Sequence, residues 1–318
     1  DHLVLATGAR NVRPPIAGGT HSDVVELRTL AHAKTIRRRL ADTRHAIVVG
    51  GGFIGLEFAA MARLAGAEVT VLEAADRLMA RAVSPAISDF VLEHHRAAGI
   101  AIRLGARVAR IDDDEAARVV GVTLADGTSI EGDLVLVATG VAPNGELAAA
   151  AGLAVSNGIV VDETLATDDP AISAIGDCAS VPGPLGTHLR LESVQAAMDQ
   201  ARHLAKRIVH GTAAAYHAVP WFWSDQGALK LQIAGLTSGA DRFETIRQED
   251  LVTVILGYRD GQLASVETIN APGEHMAARK LLGREAPVGV DELRDSGFDL
   301  RALAKRQAGS RDRSVASA

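Results

Sequence analysis

The stretch from His45 to Glu73, HAIVVGGGFIGLEFAAMARLAGAEVTVLE, leaves the chain few folds to choose from. Ala46-Ile47-Val48-Val49 is a short, β-branched apolar run of the kind that parallel sheets bury on both faces. It leads directly into Gly50-x-Gly52-x-x-Gly55, after which apolar residues recur at helical spacing through Leu64. A second strand, Glu68 to Leu72, ends in the acidic Glu73. A glycine triplet alone also arises for steric reasons, but here strand, glycines, helix, second strand and acid arrive in order. The stretch therefore reads as a Rossmann βαβ unit. Gly50 would permit the tight turn, Gly52 would let a pyrophosphate approach the backbone, and Gly55 would let the helix pack close. Glu73 lies 23 positions after Gly50, near the spacing of the acid that accepts hydrogen bonds from an adenosine ribose. A carboxylate there repels a 2′-phosphate, so NAD is expected over NADP.

Asp1 to Gly8 (DHLVLATG) repeats in Asp133 to Gly140 (DLVLVATG), each an aspartate, an apolar strand and Ala-Thr-Gly. The second copy closes the unit that begins at Gly50. The first is expected to close another such unit, lying before Asp1; alternatively, two unrelated strands both end in glycine. After Gly8 come Arg10, a Pro14-Pro15 loop and a helix from Thr29 to Leu40, whose Arg37-Arg38-Arg39 run reads as a solvated face. Ser84 is expected to cap a helix running to about Ala98. Strands near 100–104 and 107–112 follow, and a hairpin is expected to turn at Asp126-Gly127 through a two-residue loop. Strands near 158–161 and 171–175 lead into Gly176-Asp177-Cys178, and a long helix is expected from about Glu192 to His210. Beyond Pro220 short alternating strands (229–233, 252–258 and 263–269) precede helices near 274–282 and 290–305, an α+β order that marks a separate domain. The tail from Gly309 is small and polar and is expected to be disordered.

Composition removes several classes of function. A net charge of −6 gives no reason to expect nucleic acid. No apolar run approaches the roughly 20 residues needed to cross a bilayer. The single cysteine, Cys178, excludes an internal disulfide within this chain and fits a reducing, cytoplasmic setting; it reads as a small buried residue or, alternatively, a redox centre. His94 and His95 are adjacent on a helix and make a poor metal pair.

The strings Val48–Glu57, Val69–Arg81, Ala138–Asn144, Ile175–Ala179, Arg190–Arg202 and Trp221–Gln226 together resemble the FAD-dependent ferredoxin reductases of the glutathione-reductase-like fold. The first four strings are shared by many two-dinucleotide flavoproteins; the last two are narrower. The resemblance implies an α/β fold with a Rossmann NAD domain (42–140), an incomplete, discontinuous FAD domain (1–41 and 141–218) and a small α+β C-terminal domain (219–308). It implies that Phe53, Ile54, Glu57, Glu73, Arg81 and Gly140 line an NADH site with Gly50, Gly52 and Gly55. Thr7, Gly8, Arg10, Asp177, Glu192 and Val194 would surround FAD, and Trp223 would lie beside the flavin where a 2Fe–2S ferredoxin docks. On the residues alone, Glu57 could instead face solvent and the Trp221–Trp223 cluster could be ordinary core. Two departures stand out: the unit expected before Asp1, with a lysine that would partner Glu57, and Gly227 in place of a customary aromatic. The implied activity is hydride transfer from NADH to flavin and release of single electrons to ferredoxin. Alternatives are another acceptor (rubredoxin, oxygen or a partner subunit) or an NAD-binding module without turnover.

Overall fold

The apolar run before Gly50 forms the strand His45–Val49, whose last four residues are all buried, as a strand covered on both faces must be. This computed structural model describes residues 1–114, 116, 118–211 and 214–306, so the tail expected to be disordered lies outside the described residues. The helices include α1 (Leu30–Leu40), α2 (Phe53–Leu64), α3 (Pro85–Ala97), α4 (Glu146–Ala150), α5 (Val194–His210), α6 (Pro272–Leu282) and α7 (Val290–Asp295). None of the described helices is long and apolar enough to cross a membrane. Contacts divide the chain into two compact units, 1–10 with 141–222 and 11–140 with the remainder from Trp223.

In the larger unit, four parallel strands run in the order Ala101–Arg103, Glu68–Leu72, His45–Val49, Leu134–Val137. The central strand pairs Ala46 with Val69 on one side and with Leu134 on the other. Asp133 ties two strand starts together by accepting the Arg44 and His45 N–H groups at 3.0 and 3.1 Å. A three-stranded antiparallel sheet (Val108–Asp113, Val119–Leu124, Ser129–Glu131) shares a core of Ile111, Val122 and Ile130 with Val135 and Val137. Its hairpin differs from the two-residue turn expected. Leu124 N–H donates to the Thr128 carbonyl, and Gly127 alone takes positive φ (87°). That is a three-residue loop, because Asp126 avoids the left-handed conformation that a tight turn demands of both residues and instead accepts the Thr128 N–H.

The C-terminal sheet has five antiparallel strands in the order Trp221–Gln226, Leu229–Gly235, Gln262–Ile269, Val252–Arg259, Arg242–Glu249. The two outer strands have no counterpart among the strands expected from sequence. Arg242–Glu249 is an edge strand carrying alternating charges, so it lacks the apolar pattern that betrays a strand. The expected helix over 290–305 breaks after Asp295, where Gly297 and Phe298 both adopt positive φ.

The smaller unit pairs Leu3–Leu5 in parallel with Ile172–Ala174, and Ile159–Val160 in parallel with Ala179–Pro182. Its core gathers Leu5, Ile159, Leu165, Ala174, Cys178 and Leu204. Cys178 is fully buried, a packing residue with its thiol directed at the Leu5 and Ile175 carbonyls.

Candidate dinucleotide and flavin site

The glycine turn in the larger unit is dictated by sterics. At Gly50 φ is +112°, and a β-carbon would lie 2.4 Å from the Ala138 carbonyl oxygen. At Gly55 it would lie 2.1 Å from the Gly50 carbonyl oxygen and 3.2 Å from Val48 Cγ1. Both positions exclude any side chain. Gly51, a variable position of the motif, is crowded too, but against a side-chain end that can shift: a β-carbon would meet Leu78 Cδ2 at 2.6 Å. The motif pattern does not show this, because the crowding comes from Leu78 across the turn. Gly52 is different. It precedes α2 in an extended conformation, provides no side-chain cap, and a β-carbon there would meet nothing within 4 Å. The positive dipole end of α2 thus has room beside Gly52, which fits a pyrophosphate.

Glu73 is bound into the same turn, accepting the Gly51 N–H and the Ala75 N–H, each at 2.7 Å. Each carboxylate oxygen keeps a lone pair for a ribose hydroxyl. Gly140 (φ +103°) follows the strand Leu134–Val137, and Arg81 Nη2 lies 3.5 Å from where its β-carbon would be. Gly50, Gly52, Glu73, Arg81 and Gly140 therefore collect beyond the carboxyl ends of parallel strands, where open α/β sheets bind ligands. On α2, Phe53 is half-buried and Ile54 is 46% exposed. Glu57 does not simply face solvent: it is half-buried and accepts a 2.6 Å hydrogen bond from Ser224 Oγ. Burial pushes its carboxyl above the usual range, while the Ser224 hydroxyl and the Asp225 N–H pull it back. Gly227 closes the hairpin after Gln226 with φ +66°, a conformation that an aromatic side chain would strain.

In the smaller unit the first Ala-Thr-Gly turns on Gly8 (φ +66°) and is locked to Asn144. Thr7 Oγ1 donates to the Asn144 carbonyl at 2.5 Å, Asn144 Nδ2 donates to the Thr7 carbonyl at 2.9 Å, and Asn144 N–H donates to the Gly8 carbonyl. Arg10 reaches Asn144 Oδ1 at 2.8 Å and Glu146 at 2.7 Å. Asp177 sits in a single 3₁₀ turn directly after the strand Ile172–Ala174 and Ile175. Gly176 supplies positive φ (74°), and Gln200 Oε1 accepts its N–H at 2.7 Å. Val194 is the first residue of α5 and is 62% exposed. A carboxylate at a strand's end and an exposed apolar residue on a helix's first turn suit the hydroxylated chain and ring edge of a flavin.

Glu192 lies before α5 rather than on it. The helix starts two residues later than expected, because Ser193 Oγ accepts the Ala196 N–H and so defines the cap. Glu192 instead pairs with Arg190 at 2.5 Å. Arg190, only 9% exposed, also donates to Asn157 Oδ1 and to the carbonyls of Asp177 and Val141. Arg190 and Gln200 both hold the Asp177 turn, and neither role was apparent from sequence, since their partners lie 13 or more positions away. Trp223 belongs to the strand Trp221–Gln226 and is 36% exposed, so it is not ordinary core.

The comparisons with known proteins follow this geometry along the chain. The pyridine nucleotide-disulphide oxidoreductase profile matches residues 1–201, and the reductase C-terminal profile matches 221–304. Rhodocoxin reductase of Rhodococcus erythropolis is 47% identical over 321 residues, covering 100% of this chain and 74% of the relative. The crystal structure of the ferredoxin reductase for the CYP199A2 system from Rhodopseudomonas palustris superposes with a TM-score of 0.90 at 46% identity, covering 95% of this chain and 75% of that one. The reductase in a covalent putidaredoxin reductase–putidaredoxin complex gives 0.88 at 39% identity, covering 96% and 75%. The family binds FAD and NAD(H), and the glycine turn at Gly50–Gly55 fits the dinucleotide. The chain belongs to the pyridine nucleotide-disulphide oxidoreductase family, in the branch that carries the reductase C-terminal domain.

Proposed function

We propose that this chain is an FAD-dependent NADH:ferredoxin oxidoreductase whose partner is a 2Fe–2S ferredoxin feeding an oxygenase. The observation that supports this best is that the likeness to electron-transfer reductases covers the whole chain, including the C-terminal domain that carries Trp223. Bound FAD supplies the chemistry, accepting a hydride from NADH and yielding single electrons. The residues bind and orient. Residues 42–140 form the NAD-binding domain, where Gly50 and Gly52 admit the pyrophosphate, Glu73 takes the ribose hydroxyls, and Phe53, Ile54, Glu57, Arg81 and Gly140 line the rest. The FAD-binding domain comprises 1–41 and 141–218, in which Thr7, Gly8, Arg10, Asp177, Glu192 and Val194 face the flavin nucleotide. The domain at 219–308 brings Trp223 to the flavin and carries the ferredoxin dock. The single cysteine of the chain, the buried Cys178, suits a cytoplasmic setting.

An acidic ferredoxin calls for a positive dock. Of the basic residues in the C-terminal domain, Arg284 is held by Glu292 at 2.6 Å and Arg301 by Glu274 at 2.9 Å, which leaves Lys280 on α6 as the better probe. The test is stopped-flow measurement of flavin reduction by NADH and NADPH, and of reoxidation by a 2Fe–2S ferredoxin. NADH should reduce the flavin far faster than NADPH, and Glu73→Gln should narrow that gap about tenfold. Lys280→Glu should slow only reoxidation, with the effect shrinking at high salt. A preference for NADPH, or a flavin that ferredoxin does not reoxidise, would overturn the reading.

A further inference from the structure

Four polar side chains of the larger unit form one hydrogen-bonded line. Ser224 Oγ donates to Glu57 Oε1 at 2.6 Å, Gln226 Nε2 donates to Ser224 Oγ at 3.1 Å, and His95 Nε2 lies 2.9 Å from Gln226 Oε1. Ser224, Gln226 and His95 are all at most 1% exposed, whereas Glu57 is half-buried. They come from three separate elements, α2, α3 and the strand Trp221–Gln226.

The line has a direction. An ionised carboxylate only accepts, so the Ser224 hydroxyl proton must point at Glu57. Ser224 Oγ is then an acceptor toward Gln226, whose amide nitrogen faces it and also approaches Met79 Sδ at 3.7 Å. The Gln226 carbonyl oxygen can only accept, so His95 carries its proton on Nε2. Every donor therefore runs toward Glu57. Such a line is costly to leave half-made in a buried setting, and it acts on the one acid of α2, a single turn beyond Phe53 on the same face.

We propose that Ser224, backed by Gln226 and a neutral His95, positions the Glu57 carboxylate, holding it in one orientation as an acceptor for a hydrogen-bond donor of the bound dinucleotide. The inference rests on the reading of Glu57 as an NADH-site residue. The electrostatics agree with it. Burial lowers the affinity of His95 for a second proton, and the neighbouring His94 adds to that. The charged group facing Glu57 is Asp225, which works against ionisation through its carboxylate and for it through its N–H. Burial has the largest effect and keeps the Glu57 carboxyl above its usual range, and Ser224 is the main group pulling it back toward the carboxylate.

The test uses the FAD-loaded protein and reads NAD⁺ binding by calorimetry from pH 5.5 to 9, alongside KM and kcat for NADH. Ser224→Ala should weaken NAD⁺ about tenfold at neutral pH and move the acid limb of the binding curve upward by about one pH unit. The sign follows from the removed donor, since without it Glu57 takes up a proton at higher pH. Ser224→Thr should restore both values. Gln226→Met, which removes only the support behind the hydroxyl, should give a loss of about threefold. Glu57→Gln separates the two layers of the argument. If Glu57→Gln leaves NAD⁺ binding and its pH dependence unchanged, the NADH-site reading of Glu57 fails and this inference with it. If Glu57→Gln weakens binding while Ser224→Ala keeps the wild-type affinity and acid limb, the inference alone is wrong. Equal losses in Ser224→Ala and Ser224→Thr with an unmoved pH profile would show a packing role instead, and would also overturn it.

Discussion

The helices α2 and α5 begin in opposite ways. α2 follows Gly52, which has no side chain to cap it, whereas α5 follows Ser193, whose Oγ accepts the Ala196 N–H. α5 is also closed at its other end by Gly211 in the left-handed conformation. The contrast tracks burial. α2 buries Leu56, Phe58, Ala59, Ala60 and Ala62, so packing holds it and its N-terminus can stay open for a ligand. α5, longer by five residues, buries only Ala196, Gln200 and Leu204 and relies more on its caps. α3 shows a third arrangement: Ser84 caps it through Ile87 N–H, while the Ser84 N–H is itself bound by the buried Glu267 carboxylate at 2.9 Å.

Four substitutions would break or sharpen this contrast. The largest effect is expected from Gly50→Ala, which sets a methyl group against the Ala138 carbonyl at a φ unsuited to alanine. It should cost about 3 kcal/mol or more in chemical denaturation and abolish NAD⁺ binding. Next comes Gly52→Asp, where the new side chain has room and can cap α2. Stability should rise by about 0.5–1 kcal/mol while NAD⁺ affinity falls on the order of a hundredfold, because the carboxylate occupies and repels the pyrophosphate. Unchanged NAD⁺ affinity would mean that this helix N-terminus is not a phosphate site.

Glu267→Gln keeps an oxygen for the Ser84 N–H but removes the titration. Burial pushes the Glu267 carboxyl up to about 7, so the folded state holds a proton that the unfolded chain releases near 4.5. The stabilisation is complete below pH 4.5 and is lost as pH rises to about 7. Wild type should therefore lose on the order of 1–3 kcal/mol across that window, and the variant should show a flatter profile. The smallest effect is expected from Ser193→Ala, about 1 kcal/mol of stability with NAD⁺ affinity unchanged, read by denaturation and calorimetry together.

What could be read from sequence was local. The glycine turn, the Ser84 cap and the acid at the end of the second strand each follow from a residue's own conformational limits or from partners within a few positions. The failures were local too: Asp126-Gly127 turns within a three-residue loop rather than two, and the 290–305 helix breaks around Gly297. The polar contacts around the site belong to tertiary structure. Ser224 meets Glu57 across 167 positions, Gln226 meets His95 across 131, and Glu267 meets Ser84 across 183. Buried polar groups must find partners, yet the short chain segment around each residue does not say which partner folding will bring. That choice is made only when the sheet, the helices and the C-terminal strands pack together.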